Sequence, residues 1–250
     1  MTGKLLTIVT TTFNCASVMP AYLEAFSALD TARFDWLVID AGSTDGTVQL
    51  LEANAHLFSH YESTPDAGVY YGLNKALALL RTPYYLVFGA DDRPSPTLLD
   101  DVLPLLSSGS PALVLGAVRL MPAGVIKRPG PRRWHPVVLG RALSHHAVGT
   151  VICADAHRRF GNYDVNYRVV ADGAFLKAVL QSDEPVVRSP AIFGDYALGG
   201  ISDRQHLRSI VETFLLQISA GSSLALQLVL LGLRLSKLSL KGGLRQAGCA

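Results

Sequence analysis

Short β-branched runs alternate with helically spaced apolar residues through the first hundred positions, and this alternation restricts the fold more than any other feature. Residues 5–12 (LLTIVTTT) read as a buried strand, followed by a helix from Ser17 to Leu29 with Ser17 as N-cap. Residues 34–39 (FDWLVI) read as a second strand, followed by the turn AGSTDGT and a helix through VQLLEANA. A weaker strand covers 57–62, and Val69, Leu73, Leu77 and Leu80 then recur at helical spacing. Tyr84 to Phe88 reads as another strand and Pro94 to Leu106 as another helix. Such alternation predicts an α/β chain whose parallel sheet is covered on both faces. Ligands of these sheets sit beyond the carboxyl ends of the strands. Three strand ends carry polar clusters, Thr11 to Asn14, Asp40 to Thr44 and Ala90 to Arg93, and the fold predicts that they converge.

The chain has 250 residues, enough for one large domain or one domain with a tail. With 22 Lys and Arg against 20 Asp and Glu, the net charge of +2 gives no basic field of the kind that binds nucleic acid. Cys15, Cys153 and Cys249 are odd in number and far apart, which argues against a disulfide framework or a zinc site and for a reducing compartment. The N-terminal apolar run breaks at Thr10, Thr11 and Thr12, unlike a secretory signal, so a cytoplasmic location is expected.

The middle of the chain is less regular, with strand-like runs at 112–118 and 124–127, an extended segment at 185–198 and a helix near Asp172. Between them, the loop KRPGPRRWHP carries Lys127, Arg128, Arg132 and Arg133, suited either to a diphosphate-bearing acceptor or membrane, or to plain solvation. From about Asp203 the character changes: residues 213–233 carry no charge, and Arg234, Lys237, Lys241 and Arg245 follow. That length just spans a bilayer. The polar Gln217, Ser219, Ser222, Ser223 and Gln227 instead favour an apolar helix lying in the membrane interface, with docking on protein as the alternative.

The strand ends hold the chemistry. Asp91 and Asp92 follow YYLVFGA, and adjacent carboxylates there can bind Mn²⁺ or Mg²⁺, which take oxygen ligands and accept partial protein coordination. A helix start with Asp92 as N-cap ahead of Pro94 is the competing possibility. Asp40 ends the second strand in VIDAGSTDGT, where Gly42 and Gly46 permit tight turns; its carboxylate can accept from a base or ribose, and Asp45 can cap the next helix. In TPDAGVYYGLNKALALL, Asp66 and Gly68 lie in a loop before a helix, and Asn74 and Lys75 lie in its second turn. Lys75 there is either a point charge near phosphates or part of a solvated face. Asp172 is either a helix cap or a general base for an acceptor hydroxyl, and the second role requires it to fold back over Asp91 and Asp92. His145 and His146 are adjacent, so their side chains diverge and a two-His chelate is not expected; one is a candidate to approach phosphates or substrate.

In order and spacing, segments over roughly residues 4 to 202 resemble the family 2 glycosyltransferases with the GT-A fold. TIVTTTFN is similar to the opening strand and the start of the nucleotide pocket, with Thr11, Phe13 and Asn14, and VIDAGSTDGT to the strand-end Asp motif. DAGVYYGLNKAL resembles a subgroup pattern, Asp-x-Gly-Ile-Tyr-Asp-Ala-Met-Asn-Lys-Gly, and FGADD stands in place of the metal-binding acidic motif. SHHAV resembles a His-Gln segment, FGNYDVNYRVVADGAFL the stretch carrying the proposed base, and FGDYALGGIS the Gly-Gly-x-Ser stretch that closes the domain. The match is closest to the bacterial subgroup that builds capsule, colanic-acid-like exopolysaccharide and glycolipid sugars. Tyr71, His146 and Ala90 depart from it, standing where Asp, Gln and Ser are common.

The resemblance implies a Rossmann-like, mostly parallel sheet flanked by helices over 1–203, with a nucleotide-binding part to about 106, an acceptor part to about 203 and a helical tail over 204–250. It implies an inverting enzyme that uses a nucleotide-diphospho-sugar, UDP-linked by default, a divalent cation and a saccharide or lipid-linked acceptor, peripherally at the cytoplasmic face of the inner membrane. Asp40, Asp66, Gly68, Asn74, Lys75 and Asp91 would bind the nucleotide, Asp92 the metal, and Asp172 would be the base. His145, His146 and Ser202 would lie near substrate or phosphate. A nucleotidyltransferase would need a Gly-rich basic loop after the first strand, which TTTFNCAS lacks, and a dehydrogenase would need Gly-x-Gly-x-x-Gly. A non-catalytic sugar-nucleotide-binding membrane scaffold is disfavoured by the presence of both Asp92 and Asp172.

Overall fold

The computed structural model describes residues 3–130, 147–199 and 205–247. The strands are β1 (Leu6–Thr12), β2 (Asp35–Asp40), β3 (His60–Ser63), β4 (Tyr84–Gly89), β5 (Arg93–Pro94), β6 (Leu113–Met121), β7 (Val125–Lys127), β8 (Thr150–Cys153) and β9 (Val186–Ala197). The α-helices are α1 (Met19–Ser27), α2 (Thr47–Ala53), α3 (Val69–Leu79), α4 (Leu98–Ser107), α5 (Ala154–Phe160), α6 (Ala171–Gln181), α7 (His206–Ser219) and α8 (Leu224–Ala247). One sheet runs β3-β2-β1-β4-β8-β6-β9-β5, with β7 paired to β6. The β3-β2-β1-β4 half is parallel, and β8 enters antiparallel to both β4 and β6.

Within the parallel half, β1, β2 and β4 are buried on both faces, which is why they read as near-continuous apolar runs. One face packs Ile8, Trp36, Leu86 and Phe88 against Tyr22 and Phe26 of α1 and Leu98 and Val102 of α4. The other packs Val9, Ile39 and Tyr85 against Leu73 of α3 and Phe175 and Val179 of α6. Each fully buried large side chain contributes about 1.5–3 kcal/mol.

Three local expectations change. α1 starts at Met19 after Val18, with no side-chain cap, so Ser17 does not cap it. Pro94 does not begin a helix: it pairs with Gly194 in the edge strand β5, where a missing N–H is tolerated, and α4 begins after Thr97. The uncharged run at 213–233 is not one helix. α7 ends at Ser219, Gly221 takes φ +79°, and the Gly221 and Ser222 amides donate back to the Ile218 and Gln217 carbonyls, closing the turn. Among the described residues no helix is long and apolar enough to cross a membrane.

Candidate active site

The parallel register sets the carboxyl ends side by side: Thr12 lies opposite Asp40, and Thr11 opposite Gly89. The loops beyond them border a cleft with two lobes. One, of about 480 Å³, is lined by Phe13, Ala41, Asp66, Gly68, Tyr71 and Arg168, among others. The other, of about 420 Å³, is lined by Asn14, Asp91, Asp92, Tyr163, Asp172 and Tyr196, among others. Thr11, Thr12, Phe13, Val69 and Tyr70 border both. Phe13 is 59% and Tyr71 41% exposed, leaving two aromatic surfaces at the first lobe.

Asp40 is fully buried and borders neither lobe. Oδ1 accepts from Thr12 Oγ1 (2.8 Å) and Ser43 Oγ (2.6 Å), and Oδ2 from Gly42 N (3.0 Å), Ser43 N (2.8 Å) and Ser63 Oγ (2.7 Å). Burial works to raise its pKa, but these bonds together outweigh that and hold the carboxyl below its ordinary range. Asp40 therefore organises the loop, and the expected contact between its carboxylate and a base or ribose has no free face. Asn14 joins the same knot: at φ +46°, its N–H donates to Ser43 Oγ (2.8 Å), and its side-chain oxygen accepts from Thr44 N (2.9 Å). Asp45 accepts from Thr47 N (3.1 Å) at the start of α2, as a capping residue does.

Asp92 is 5% exposed and is not a helix cap. Oδ1 accepts from Ala197 N (3.0 Å) at the end of β9, and Oδ2 from Gly89 N (3.0 Å). Desolvation first, then the Asp91 charge, push its pKa up to about 7. The pair converges over Gly89, where a Cβ would lie 2.9 Å from Asp91 Oδ1 and 3.1 Å from Asp92 Oδ2. Among the described residues no group of three or more His, Cys, Asp or Glu side chains forms a metal cage. Two converging carboxylates beside an open cavity instead fit a hard divalent cation that takes its other ligands from water and phosphate.

Asp172 stands in the first turn of α6, where the helix dipole favours a carboxylate. It borders the same lobe as Asp91 and Asp92, so residues far apart in sequence share one cavity. Oδ1 accepts from Gly173 N (2.7 Å), and the Tyr70 hydroxyl lies 2.9 Å from it. That hydroxyl is also 2.9 Å from the Val169 carbonyl oxygen, and burial, then Asp172, keep it protonated and a donor. Behind it, His157 Nδ1 donates to the Gly161 carbonyl (2.9 Å), so neutral His157 offers Nε2 to Tyr85 Oη (2.6 Å), which lies 2.6 Å from Tyr163 Oη. Burial lowers the His157 pKa to about 4, consistent with that tautomer.

Two of the other expected ligands, Asn74 and Lys75, do not border the cleft. Asn74 clamps the Tyr163 backbone, donating to its carbonyl (2.8 Å) and accepting from its N–H (3.1 Å). Lys75 turns toward β3, pairing with Glu62 (3.4 Å) and Thr64. Asp66 borders the first lobe and accepts from Gly68 N (2.8 Å), with Gly68 at φ +139°. His145, His146, Ser202, Arg132 and Arg133 lie outside the described residues. Tyr70 and Tyr163 escaped the sequence reading, although Tyr70 sits beside the apolar stripe of α3, where a buried phenol needs a partner.

The family model described as Glycosyl transferase family 2 matches residues 7–167. The chain belongs to that family. This glycosyltransferase is 26% identical over 251 residues to a PGL/p-HBAD biosynthesis glycosyltransferase of Mycobacterium tuberculosis, covering 94% of this chain and 91% of the relative. In fold it is similar to a Pyrobaculum calidifontis mannosyltransferase in complex with GDP-Man and Mn²⁺ (TM-score 0.66, 16% identity, 91% of this chain and 68% of that one). It is also similar to S. aureus TarS 1-349 in complex with UDP-GlcNAc (TM-score 0.65, 16% identity, 85% of this chain and 65% of that one), and it spans 39% of the longer TarS chain. The fold is therefore GT-A, and nucleotidyltransferase and non-catalytic scaffold functions are set aside.

Proposed function

We propose that this glycosyltransferase moves a sugar from a nucleotide-diphospho-sugar to a hydroxyl of a saccharide or lipid-linked saccharide, with inversion. The observation that carries the reading is the shared lobe of Asp172 and the Asp91–Asp92 pair, which shares its border residues with the first lobe, flanked by Phe13 and Tyr71. The first lobe suits a nucleoside, with aromatic surface for the base and Asp66 and the 66–68 backbone for polar contacts. Asp91 and Asp92 would hold Mn²⁺ or Mg²⁺, which when bound neutralises charge on the departing diphosphate. Asp172 takes the acceptor proton, and in-line attack inverts the anomeric carbon. No carboxylic acid is needed for the leaving group, in contrast to glycosidases.

A UDP-linked donor is the first choice, and the GDP-Man and UDP-GlcNAc complexes of the structural neighbours make both nucleotides worth assaying. The exposed stripe Leu207, Val211 and Leu215 on α7, with Leu228, Val229 and Leu233 on α8, supports peripheral contact with the cytoplasmic face of a membrane, where a lipid-linked acceptor would lie. Lys237 is exposed beyond that stripe, Arg234 is buried, and the side chains of Lys241 and Arg245 lie outside those described.

The test is a panel of UDP-glucose, UDP-GlcNAc and GDP-mannose with Mn²⁺ and a bacterial lipid extract, read as nucleoside diphosphate release. Asp172→Asn should bind the preferred nucleotide diphosphate within about threefold of wild type and lose at least ~10²-fold in turnover. Near wild-type turnover would remove Asp172 as the base.

A further inference from the structure

Glu212 is the single acidic residue between positions 204 and 250, set among Arg204, Arg208, Arg234, Lys237, Lys241 and Arg245. It is 7% exposed on α7 and faces inward. Its Oε1 accepts from Arg168 N (3.0 Å), and Oε2 accepts from Val169 N (2.9 Å) and Val170 N (3.2 Å). These three amides immediately precede Ala171, the first residue of α6, and Asp172 follows. The N-cap of α6 is Val170, which has no side-chain acceptor of its own. A carboxylate from another helix therefore holds the backbone that leads into α6, with charge-assisted bonds close to the positive end of the helix dipole.

The same segment is gripped from its other side. The Val169 carbonyl meets the Tyr70 hydroxyl, the group that also lies against Asp172 Oδ1. At the upstream end, Arg168 walls the nucleoside lobe and donates to the Ala67 carbonyl (3.3 Å). Residues 168–170 thus link the wall of one lobe to the carboxylate of the other, and Glu212 holds all three of their amides.

We infer that Glu212 is a positioning residue for glycosyl transfer: it fixes the backbone from which Asp172 reaches the acceptor, which makes α7 part of the reaction apparatus as well as a surface element. The inference rests on Asp172 being the base. Gln at 212 keeps one acceptor oxygen and places an NH₂ against amides that need acceptors, so the segment loosens without loss of side-chain volume.

The experiment is a double-mutant cycle in the full chain, using the panel donor with the highest turnover, with Mn²⁺, at a temperature well below each variant's Tm. Glu212→Gln should lower kcat about 10- to 100-fold while donor KM stays within about threefold. In an Asp172→Asn background the same change should alter the residual rate less than about twofold, because the two residues act through one step. An equal loss in both backgrounds would overturn the inference, as would a kcat within twofold of wild type or a loss confined to KM. If Asp172→Asn alone keeps wild-type turnover, the base assignment fails and this inference falls with it, an outcome distinct from an additive cycle. Should Glu212→Gln not fold, Glu212→Asp, which keeps the charge and shortens the reach, carries the same cycle.

Discussion

At the scale of single residues, Asp92 is a carboxyl whose ionisation is tied to burial. Its folded pKa of about 7 stands above the ordinary 3.8, because burial and the neighbouring Asp91 disfavour the ionised form. A carboxyl raised on folding binds its proton more tightly in the native state than in the unfolded chain. In metal-free protein this group therefore lowers stability as pH rises from about 4 through about 7. A divalent cation needs the ionised form and reverses the penalty. The Mn²⁺-induced rise in Tm should be larger at pH 8 than at pH 6, and Asp92→Asn should abolish it while flattening the metal-free pH slope. A Mn²⁺ shift of equal size at both pH values would count against the pair as the cation site. Asp40 makes the contrasting case: a carboxylate at a strand end whose acceptor sites are filled by the chain's own donors. Sequence places both at the mouth of the cleft and does not say which one faces it.

At the scale of elements, the parallel half was legible because strand and helix periodicities there are local properties of the chain. The expected strands and helices of residues 5–106 all form, with shifts of a few residues except at Pro94. Pro94 was misplaced because its partner is Gly194, a hundred positions away, and capping rules see only neighbours. Asn74 and Lys75 show a related point: a motif fixes which residues are present but not the direction each takes from the helix. The break in the tail was signalled by Gly221, Ser222 and Ser223, yet the absence of charge from 213 to 233 hid it. The bonds of Glu212 to residues 168–170, and of Tyr70 to Val169 and Asp172, are all non-local. The second half of the sheet shows how such contacts reach the site. At Gly116 of β6, near a register irregularity against β9, an added Cβ would lie 2.5 Å from the Phe193 ring, which is fully buried. Gly116→Ala should cost roughly 1–3 kcal/mol in chemical denaturation. It should also weaken Mn²⁺ binding, because β9 ends in the amide that holds Asp92. Unchanged stability would show that Phe193 has room to move.

At the scale of the whole molecule, the helical tail is joined to the catalytic body by a buried carboxylate and does not simply trail from it. A chain cut after Asp203 loses that carboxylate and exchanges three charge-assisted bonds for bonds to water, at about 1–3 kcal/mol. Its Tm should fall by roughly 2–10 °C for a body of this size. It should also fail to sediment with anionic lipid vesicles that retain the full chain. An unchanged Tm would mean that the tail is energetically separate, and retained sedimentation would move the membrane contact elsewhere. The long reach of the hydrogen bonds around the acidic groups also has a consequence in time. Asp92 awaits the amide of Ala197, made 105 residues later, and the segment ahead of Asp172 awaits Glu212. On the ribosome, a polypeptide grown only as far as Asp172 thus carries the acidic side chains of the cleft before it carries Ala197 and Glu212, whose bonds aim them.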